Sequence, residues 1–249
     1  MSFLTHEYID LDNVALDFAK GDSIIFTNHH HEKVFESASL IKLPIMIYIY
    51  ESTTQEDRKA LVQINHKVGG SGVLKNMNID QLSVQDLIYL MIVVSDNTAT
   101  NTLIDHFGLQ HINLFIQETL QCEQTQLNRY MMDAEAISEG KQNTTSSQDM
   151  IHILRFIAEH KHHQDMMNIM NDQHLNDKVS IYRSFYEDTL NFYTKTGEYD
   201  NVVNDVGIIQ HEGELYYYCF LSNTNKPKKA IDFSHQFGSY IIQSILDIL

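Results

Sequence analysis

Proline and basic residues are scarce in this chain of 249 residues, which has two Pro and only 17 Lys and Arg against 33 Asp and Glu. With so little proline and no low-complexity stretch, domains joined by flexible linkers are disfavoured, which leaves one large domain or two interleaved ones. The formal net charge of −16 repels phosphate groups. We therefore predict no nucleic-acid partner and no membrane partner.

Long apolar runs and cysteines are scarce as well. The most apolar run, residues 40–50, is too short to span a bilayer and contains Lys42 and Pro44. Residues 1–7 have neither the basic nor the apolar segment of a secretory signal peptide, so we expect a cytoplasmic protein. In that compartment Cys122 and Cys219 are expected to be reduced thiols rather than a disulfide.

The periodicity of apolar residues changes twice along the chain. Strand character occurs near both ends, whereas helical periodicity dominates from residue 39 to about residue 163. Strands at both ends with helices between them indicate an antiparallel sheet assembled from the two chain termini. The predicted strands cover residues 13–19, 23–28, 190–194, 202–210 and 215–223, and a last apolar helix is predicted at 234–249.

This order of elements predicts an α+β fold, in which helices flank the sheet and an all-α part is inserted between its two halves. We assign residues 1–38 and 185–249 to the sheet part and residues 39–184 to the helical part. Local signals mark the helix boundaries. Ser83 has an N-terminal capping pattern, and Gly108 is a typical residue just beyond a helix end.

Three short strings contain side chains with complementary chemistry: SLIK at residues 39–42, SDN at 95–97 and KTG at 195–197. Ser39 and Lys42 are three residues apart, so both side chains lie on one face of a helix. A serine hydroxyl becomes a good nucleophile only when a base takes its proton. Burial among apolar neighbours lowers the pKa of a lysine, which lets Lys42 act as that base.

The other two strings lie where a cleft can form. Ser95 follows a long apolar helix, and Ser, Asp and Asn break helices because their side chains compete for backbone hydrogen bonds. Lys195 lies on a predicted strand, where its ammonium group can bind a carboxylate and lower the pKa of Ser95. Two histidine runs are weaker candidates, because their positions on a strand and in a polar turn predict no metal site.

In this order, the strings resemble the S-x-x-K, S-D-N and K-T-G motifs of class A β-lactamases and penicillin-binding proteins. The resemblance extends over about residues 13–249 and implies the β-lactamase-like fold, with the active site in the cleft between the sheet part and the helical part. It implies a serine hydrolase that forms an acyl-enzyme on Ser39. Such an enzyme opens β-lactam or related amide or ester bonds in a small-molecule substrate, without a cofactor.

The resemblance also implies a role for each motif residue. Lys42 is the base that activates Ser39, and Ser95 passes a proton to the leaving nitrogen. The backbone N–H groups of Ser39 and Glu198 form the oxyanion hole. Gly197 lets the substrate approach the strand closely. The predicted substrate-binding residues are Asn97, Gly197, Glu198 and, as an anion site, Lys195 and Thr196.

Departures from the family pattern concern the loop that carries the deacylating base. Class A enzymes use a glutamate two residues after an arginine, but here Met131 follows Arg129 at that position. A thioether cannot take a proton from water, so Glu135 is our first choice for a substitute base and Asp133 our second, unless both are solvated loop charges. Asn143 replaces the aspartate that pairs with the arginine, which predicts a loop that is looser or pinned differently.

The substrate subsite differs as well. No arginine follows Arg183, so the family's extra carboxylate-binding arginine beyond K-T-G is missing. Glu198 adds a negative charge beside this subsite, which disfavours a penicillin-type carboxylate unless the side chain points away. Two alternatives to a β-lactamase-like hydrolase stay open. One is an intracellular amidase, esterase or peptidase of the same fold, and the other is a penicillin-binding sensor that is acylated without turnover in an antibiotic response. The sequence also leaves the oligomeric state open.

Overall fold

The structure is a computed structural model that describes residues 11–247. Residues 1–7, on which the prediction of a cytoplasmic location depends, lie outside the described residues, as do the last two residues of the predicted closing helix. None of the helices in residues 11–247 is both long and apolar enough to cross a membrane. Cys122 and Cys219 are both buried and free, in agreement with the reduced-thiol prediction.

Both ends of the chain contribute strands to one five-stranded antiparallel sheet, as predicted. In chain order the strands of the protein are β1 (Val14–Lys20), β2 (Ser23–Thr27), β3 (Phe35–Glu36), β4 (Leu61–Gln63), β5 (Gln81–Ser83), β6 (Thr144–Thr145), β7 (Asn191–Tyr199), β8 (Val202–His211) and β9 (Glu214–Ser222). The large sheet has the order β2-β1-β9-β8-β7, and two small pairs, β3 with β6 and β4 with β5, lie outside it. The predicted α+β fold is confirmed.

One strand is longer than the sequence pattern indicates. β7 continues to Tyr199, whereas its alternating apolar pattern ends at Thr194. The polar residues after Thr194 pair in register with β8, from Lys195 opposite Val206 to Tyr199 opposite Val202. Pairing with a neighbouring strand therefore extends β7 through the KTG string, which places that string on an edge strand of the sheet.

Helices form most of the middle of the chain, and a helix is also the last element of the described residues. In chain order they are α1 (Lys42–Ser52), α2 (Val84–Val93), α3 (Asn97–Phe107), α4 (Leu109–Glu118), α5 (Ala134–Ser138), α6 (Ser147–Glu159), α7 (His163–Asn171) and α8 (Pro227–Ile245). α1 is the central helix, because apolar residues on all its sides, among them Leu43, Ile45 and Met46, are fully buried. α6 contacts β1 and β9, and α7 contacts β7, so helices cover one face of the sheet.

Strand alternation separates two hydrophobic cores. On one face, Phe18 and its cross-strand partner Tyr218 pack with Phe237 of α8. On the other face, Val206 and its partner Cys219 belong to the core of the helical part. A 3₁₀ helix, Val179–Phe185, also packs against α8. The division of the chain at residues 38 and 184 stays a prediction.

Helix boundaries follow local signals in the sequence. Ser83 Oγ accepts the N–H of Asp86 at 3.0 Å and caps α2, as predicted. Gly108 separates α3 from α4 with a φ of +88°, a conformation that glycine adopts without a steric penalty. The closing helix α8 begins at Pro227, earlier than predicted, because proline suits the first turn of a helix.

Candidate active site

Ser39 lies at the start of the central helix. It belongs to the 3₁₀ turn Ala38–Ile41, which continues directly into α1. Ala38, the residue before Ser39, has a φ of +46°, a left-handed backbone conformation that is unfavourable for alanine. Such strain persists only where the surrounding structure enforces it, and it is concentrated at functional sites.

Two strands of the sheet hold this turn in place. Asn204 on β8 donates to the carbonyl of Glu36 at 2.8 Å. On β7, a Cβ at Gly197 would lie 2.8 Å from the carbonyl oxygen of Ser37 and 3.1 Å from the backbone nitrogen of Ser39. Gly197 therefore allows the strand to pack against the turn. Its predicted role in the approach of a substrate stays a prediction.

Lys42 is fully buried and connects the central helix to the SDN string. Its Nζ donates to the backbone carbonyl of Ser95 at 2.7 Å, to Ser95 Oγ at 3.1 Å and to Asn97 Oδ1 at 2.9 Å. Burial, and then the positive charge of Lys195, lower the pKa of Lys42 well below its ordinary value. Lys42 therefore has the environment that a lysine base requires.

Ser95 lies at the break between α2 and α3. Its φ of +54° is left-handed, which is rare for serine. The next residue, Asp96, caps α3 by accepting the N–H of Ala99 at 2.9 Å, and its second oxygen accepts the N–H of Leu74 at 2.8 Å. The predicted helix break is confirmed, and the cap holds Ser95 against Lys42.

Lys195 reaches Ser95 from the sheet. Its cross-strand partner on β8 is Val206, which belongs to the core of the helical part, so Lys195 faces the same way. Its Nζ donates to Ser95 Oγ at 3.1 Å and to the carbonyl of Thr196 at 2.8 Å. Burial, and to a smaller extent the charge of Lys178, lower the pKa of Lys195 to about 7.

Thr196 and its cross-strand partner Asp205 face the opposite side of the sheet from Lys195. Asp205 accepts the N–H of Val179 at 2.9 Å and the hydroxyl of Tyr218 at 3.2 Å. Burial raises the pKa of Asp205 to about 7. Asp205 was not among the predicted residues, although an acidic residue in the middle of an apolar strand is a recognisable signal.

A cavity of about 400 Å³ lies beside Ser39. Of the predicted site residues, Ser39, Asn97 and Glu198 line it, and Met131 and Ile137 contribute apolar wall on the loop side. Ser39, at the cavity, is thus three residues from Lys42 of the buried hydrogen-bonded cluster that also contains Ser95 and Lys195. The remaining predicted site residues of the three strings are buried and do not belong to the lining: Lys42, Ser95, Lys195, Thr196 and Gly197.

The loop on the far side of the cavity is pinned by amides. Nε and Nη2 of Arg129 donate to Gln142 Oε1 at 3.0 and 2.8 Å. Asn143 Oδ1 accepts the N–H groups of Asn128 and Arg129 at 2.8 and 2.9 Å. Of the two predicted alternatives, the loop therefore corresponds to the one in which it is pinned differently. Gln142 accepts the hydrogen bonds of the Arg129 guanidinium.

Met131 lies in the cavity wall, where Asn101 of α3 holds its backbone. The N–H of Met131 donates to Asn101 Oδ1 at 2.8 Å, and Asn101 Nδ2 donates to the carbonyl of Met131 at 3.0 Å. Asn101 was not predicted. Its signal was a polar residue one turn after Asn97 on the same face of α3.

Glu135 and Asp133, the two predicted substitute bases, both lie outside the lining of the cavity beside Ser39. Glu135 lies on the exposed face of α5 and is not part of the cavity lining. Asp133 caps α5 by accepting the N–H of Ala136 at 3.0 Å. Neither carboxylate lines the cavity beside Ser39, so the geometry gives no support to either residue as the substitute base.

The carboxylate of Glu198 forms an ion pair with a buried lysine. Its Oε2 lies 2.5 Å from Nζ of Lys178, a buried lysine that also contacts Asp177 at 2.9 Å. The negative charge expected beside the subsite therefore lies at the cavity, but it is paired with Lys178. Lys178 was not predicted, because a single lysine next to an aspartate in a loop has the pattern of solvated charges.

Solved structures with the same fold include a β-lactamase from Sphaerobacter thermophilus DSM 20745. It is 24% identical with a TM-score of 0.79, over 95% of this chain and 98% of that one. A single-residue variant of PBP-A, solved as an acyl-enzyme complex with penicillin G, is 24% identical with a TM-score of 0.79, over 95% of this chain and 90% of that one. A representative of class A β-lactamase from Bacteroides cellulosilyticus DSM 14838 is 15% identical with a TM-score of 0.79. The match covers 94% of this chain and 91% of that one.

Sequence comparison identifies the family. No curated protein sequence matches this chain significantly. The profile described as "Beta-lactamase enzyme family" matches residues 12–245, a span that contains the whole five-stranded sheet and all three motif strings. Because this match extends over most of the chain, the protein belongs to the beta-lactamase enzyme family.

Proposed function

We propose that this protein is a serine hydrolase that forms an acyl-enzyme on Ser39 with β-lactams or related amides and esters. The observation that carries the proposal is the position of Ser95 Oγ, which lies 3.1 Å from Nζ of Lys42 and 3.1 Å from Nζ of Lys195. This hydroxyl lies between two lysines beside the cavity that Ser39 lines. Such a cluster supports proton transfer during acylation.

The proposed acylation step moves one proton from the nucleophile to the leaving group. Lys42, as the neutral amine, takes the hydroxyl proton of Ser39 while Oγ bonds to the acyl carbon. Ser95 then donates a proton to the leaving nitrogen or oxygen as the acyl bond breaks, and it recovers one from Lys42 through their hydrogen bond. The N–H groups of Ser39 and Glu198 stabilise the oxyanion.

Deacylation is proposed to be slow. Met131 occupies the sequence position of the family's deacylating glutamate, and its thioether cannot take a proton from water. Glu135 and Asp133 lie outside the cavity lining, so they do not replace that glutamate. The acyl-enzyme complex of the PBP-A variant with penicillin G supports the choice of a penicillin as a first acylating probe.

A pre-steady-state experiment tests the proposal. Rapid mixing of the protein with excess chromogenic β-lactam is expected to release about one equivalent of product in a burst, followed by a slow phase, because acylation is intact and deacylation is impaired. The intact mass is expected to increase by the mass of the acyl group. Absence of both the burst and the mass increase, with a β-lactam and with an activated ester, would contradict the proposal.

A second candidate is an amidase, esterase or peptidase of the same fold. The observation that favours it is the pair of carboxylates, Glu198 and Asp200, in the cavity wall. Rapid turnover of neutral esters together with slow acylation by β-lactams would select this candidate. A burst with no subsequent turnover of any substrate would instead select a sensor that stays acylated.

The pH profile of acylation is expected to have two limbs. The rate rises with pH as Lys42 loses its proton, since only the neutral amine is a base, and its lowered pKa brings this limb below the range of an ordinary lysine. The rate falls again above about pH 7, as Lys195 loses the proton that its ammonium donates to Ser95.

The Lys195→Arg variant separates the two limbs. A guanidinium keeps its proton beyond about pH 12, so the falling limb should disappear while the rising limb stays. Second-order acylation rate constants across the pH range of the folded protein measure both limbs. The exposed residue Lys59, changed to arginine, is the matched control. An unchanged falling limb in Lys195→Arg would show that another group titrates there.

A further inference from the structure

The end of β7 presents two carboxylates to the cavity that Ser39 lines, Glu198 and Asp200. Behind the first of them is a cation that does not belong to the lining, Lys178, which is only 2% exposed. Glu198 Oε2 lies 2.5 Å from Lys178 Nζ. The carboxylate of Glu198 therefore separates this ammonium group from the space that a substrate would occupy.

The leaving group of a substrate would lie next to this carboxylate. Ser95, the proposed proton donor to the leaving group, is held by Lys195 of β7. The leaving group of a bound substrate therefore lies toward Ser95 and β7. Glu198, three residues after Lys195 on the same strand, itself lines the cavity, so its carboxylate lies on the β7 side of a bound substrate.

A second acidic residue holds Lys178 from outside the cavity. Asp177 Oδ1 lies 2.9 Å from Lys178 Nζ, and Asp177 does not line the cavity. Although burial opposes the charged form, hydrogen bonds to Glu198 and Asp177 raise the pKa of Lys178 above its ordinary value. The ammonium group thus stays charged and stays bound to Glu198.

We propose that Glu198 is a specificity-determining residue that acts as an internal ligand of Lys178. Its carboxylate occupies the place of an anionic group on the leaving-group side, so the protein selects substrates that are neutral or cationic there. This inference rests on the proposed function. An anionic leaving group would have to displace Glu198 from Lys178, and it would then lie beside two uncompensated carboxylates.

The test compares one β-lactam in two forms, the free carboxylic acid and its methyl ester, on the full-length protein. The wild-type protein is expected to be acylated faster by the ester. Glu198→Gln removes the charge at nearly constant size and leaves Lys178 without its cavity-side ligand. The ratio of the acylation rate constants, acid over ester, is then expected to rise by about tenfold or more, because a repulsive charge is replaced by an accessible cation.

Asp177→Asn is the matched control. It removes the other ion-pair partner of Lys178 but leaves Glu198 at the cavity, so the ratio should stay within about twofold of the wild-type value. The double variant Glu198→Gln with Lys178→Met should lose the gain. Thermal unfolding and the ester rate of each variant show whether it is folded and active.

The outcomes distinguish this inference from the proposed function. An acid-over-ester ratio that is unchanged in Glu198→Gln, or that rises equally in Asp177→Asn, overturns the inference while acylation of Ser39 stands. Absence of acylation by both forms in the wild-type protein contradicts the proposed function, and the inference falls with it. A gain that is confined to Glu198→Gln and removed by Lys178→Met supports both.

Discussion

Replacing Ser39 with alanine is expected to abolish covalent labelling by a chromogenic β-lactam and by an activated ester. The reason is that Ser39 lines the cavity and lies three residues before Lys42, which is hydrogen-bonded in the cluster with Ser95 and Lys195. Without its hydroxyl, no oxygen remains at the start of α1 to bond to the acyl carbon. Intact mass spectra after mixing with excess reagent measure the effect, which should be a complete loss of the adduct.

A serine outside the site provides the control for Ser39→Ala. Ser138 lies on the exposed surface of α5 and should be labelled neither before nor after substitution, so Ser138→Ala should keep the full burst. Peptide mapping of the wild-type adduct should place the added mass on the peptide that contains Ser39. An adduct that forms on Ser39→Ala at the wild-type rate would assign the nucleophile to another residue.

Replacing Met131 with glutamate is expected to convert the burst into sustained turnover. Met131 lines the cavity, and Asn101 holds its backbone through two hydrogen bonds that do not depend on the side chain. A carboxylate at this position can activate a water for attack on the acyl-enzyme, and a positioned general base accelerates such a step by roughly 100-fold or more. The steady-state rate after the burst and the lifetime of the adduct measure this gain.

Met131→Gln is the matched control, because glutamine has the shape of glutamate but cannot take a proton from water. It should keep the burst and the long-lived adduct of the wild-type protein. Equal acceleration in both variants would attribute the gain to a change in water access instead of base catalysis. A folded Met131→Glu variant that is acylated but not hydrolysed faster would show that the base must come from elsewhere.

The cluster of Lys42, Ser95 and Lys195 was predictable because each residue belongs to a short string with its own local signal. A lysine three residues after a serine in an apolar helix requires a buried role, and SDN after a long apolar helix predicts a break. The structure joins these strings through hydrogen bonds of 3.1 Å. The strings and their order predicted the cluster, whereas the distances between its side chains come only from the structure.

Glu135 and Gly197 show what sequence spacing does not determine. Glu135 has nearly the right separation from Arg129, but the helix α5 begins at Ala134 and turns the side chain outward. Gly197 is a typical residue for close approach, yet its close neighbours are the backbone atoms of Ser37 and Ser39 instead of open cavity. The direction in which a side chain points depends on how its helix or strand packs, and residue spacing alone does not determine that packing.

The ion pair of Glu198 with Lys178 and the contact of Asn101 with Met131 were not predictable from their neighbours in sequence. Each joins residues from different elements, and none of these residues lies in a motif that constrains both partners. A charged residue in a loop or a polar residue on a helix has many possible partners, and packing selects one. The tertiary structure therefore decides which charges face the cavity.

The amino-acid sequence by itself determined the α+β fold class, the assembly of the sheet from both chain ends, and the residue types available for acylation at Ser39. These follow from periodicity and from short strings, which are local properties of the chain. Only the tertiary structure decided that Met131 lies in the cavity wall, that Glu135 faces solvent and that Glu198 is paired with Lys178. The physical reason is that burial, pKa and charge pairing depend on contacts between residues far apart in sequence.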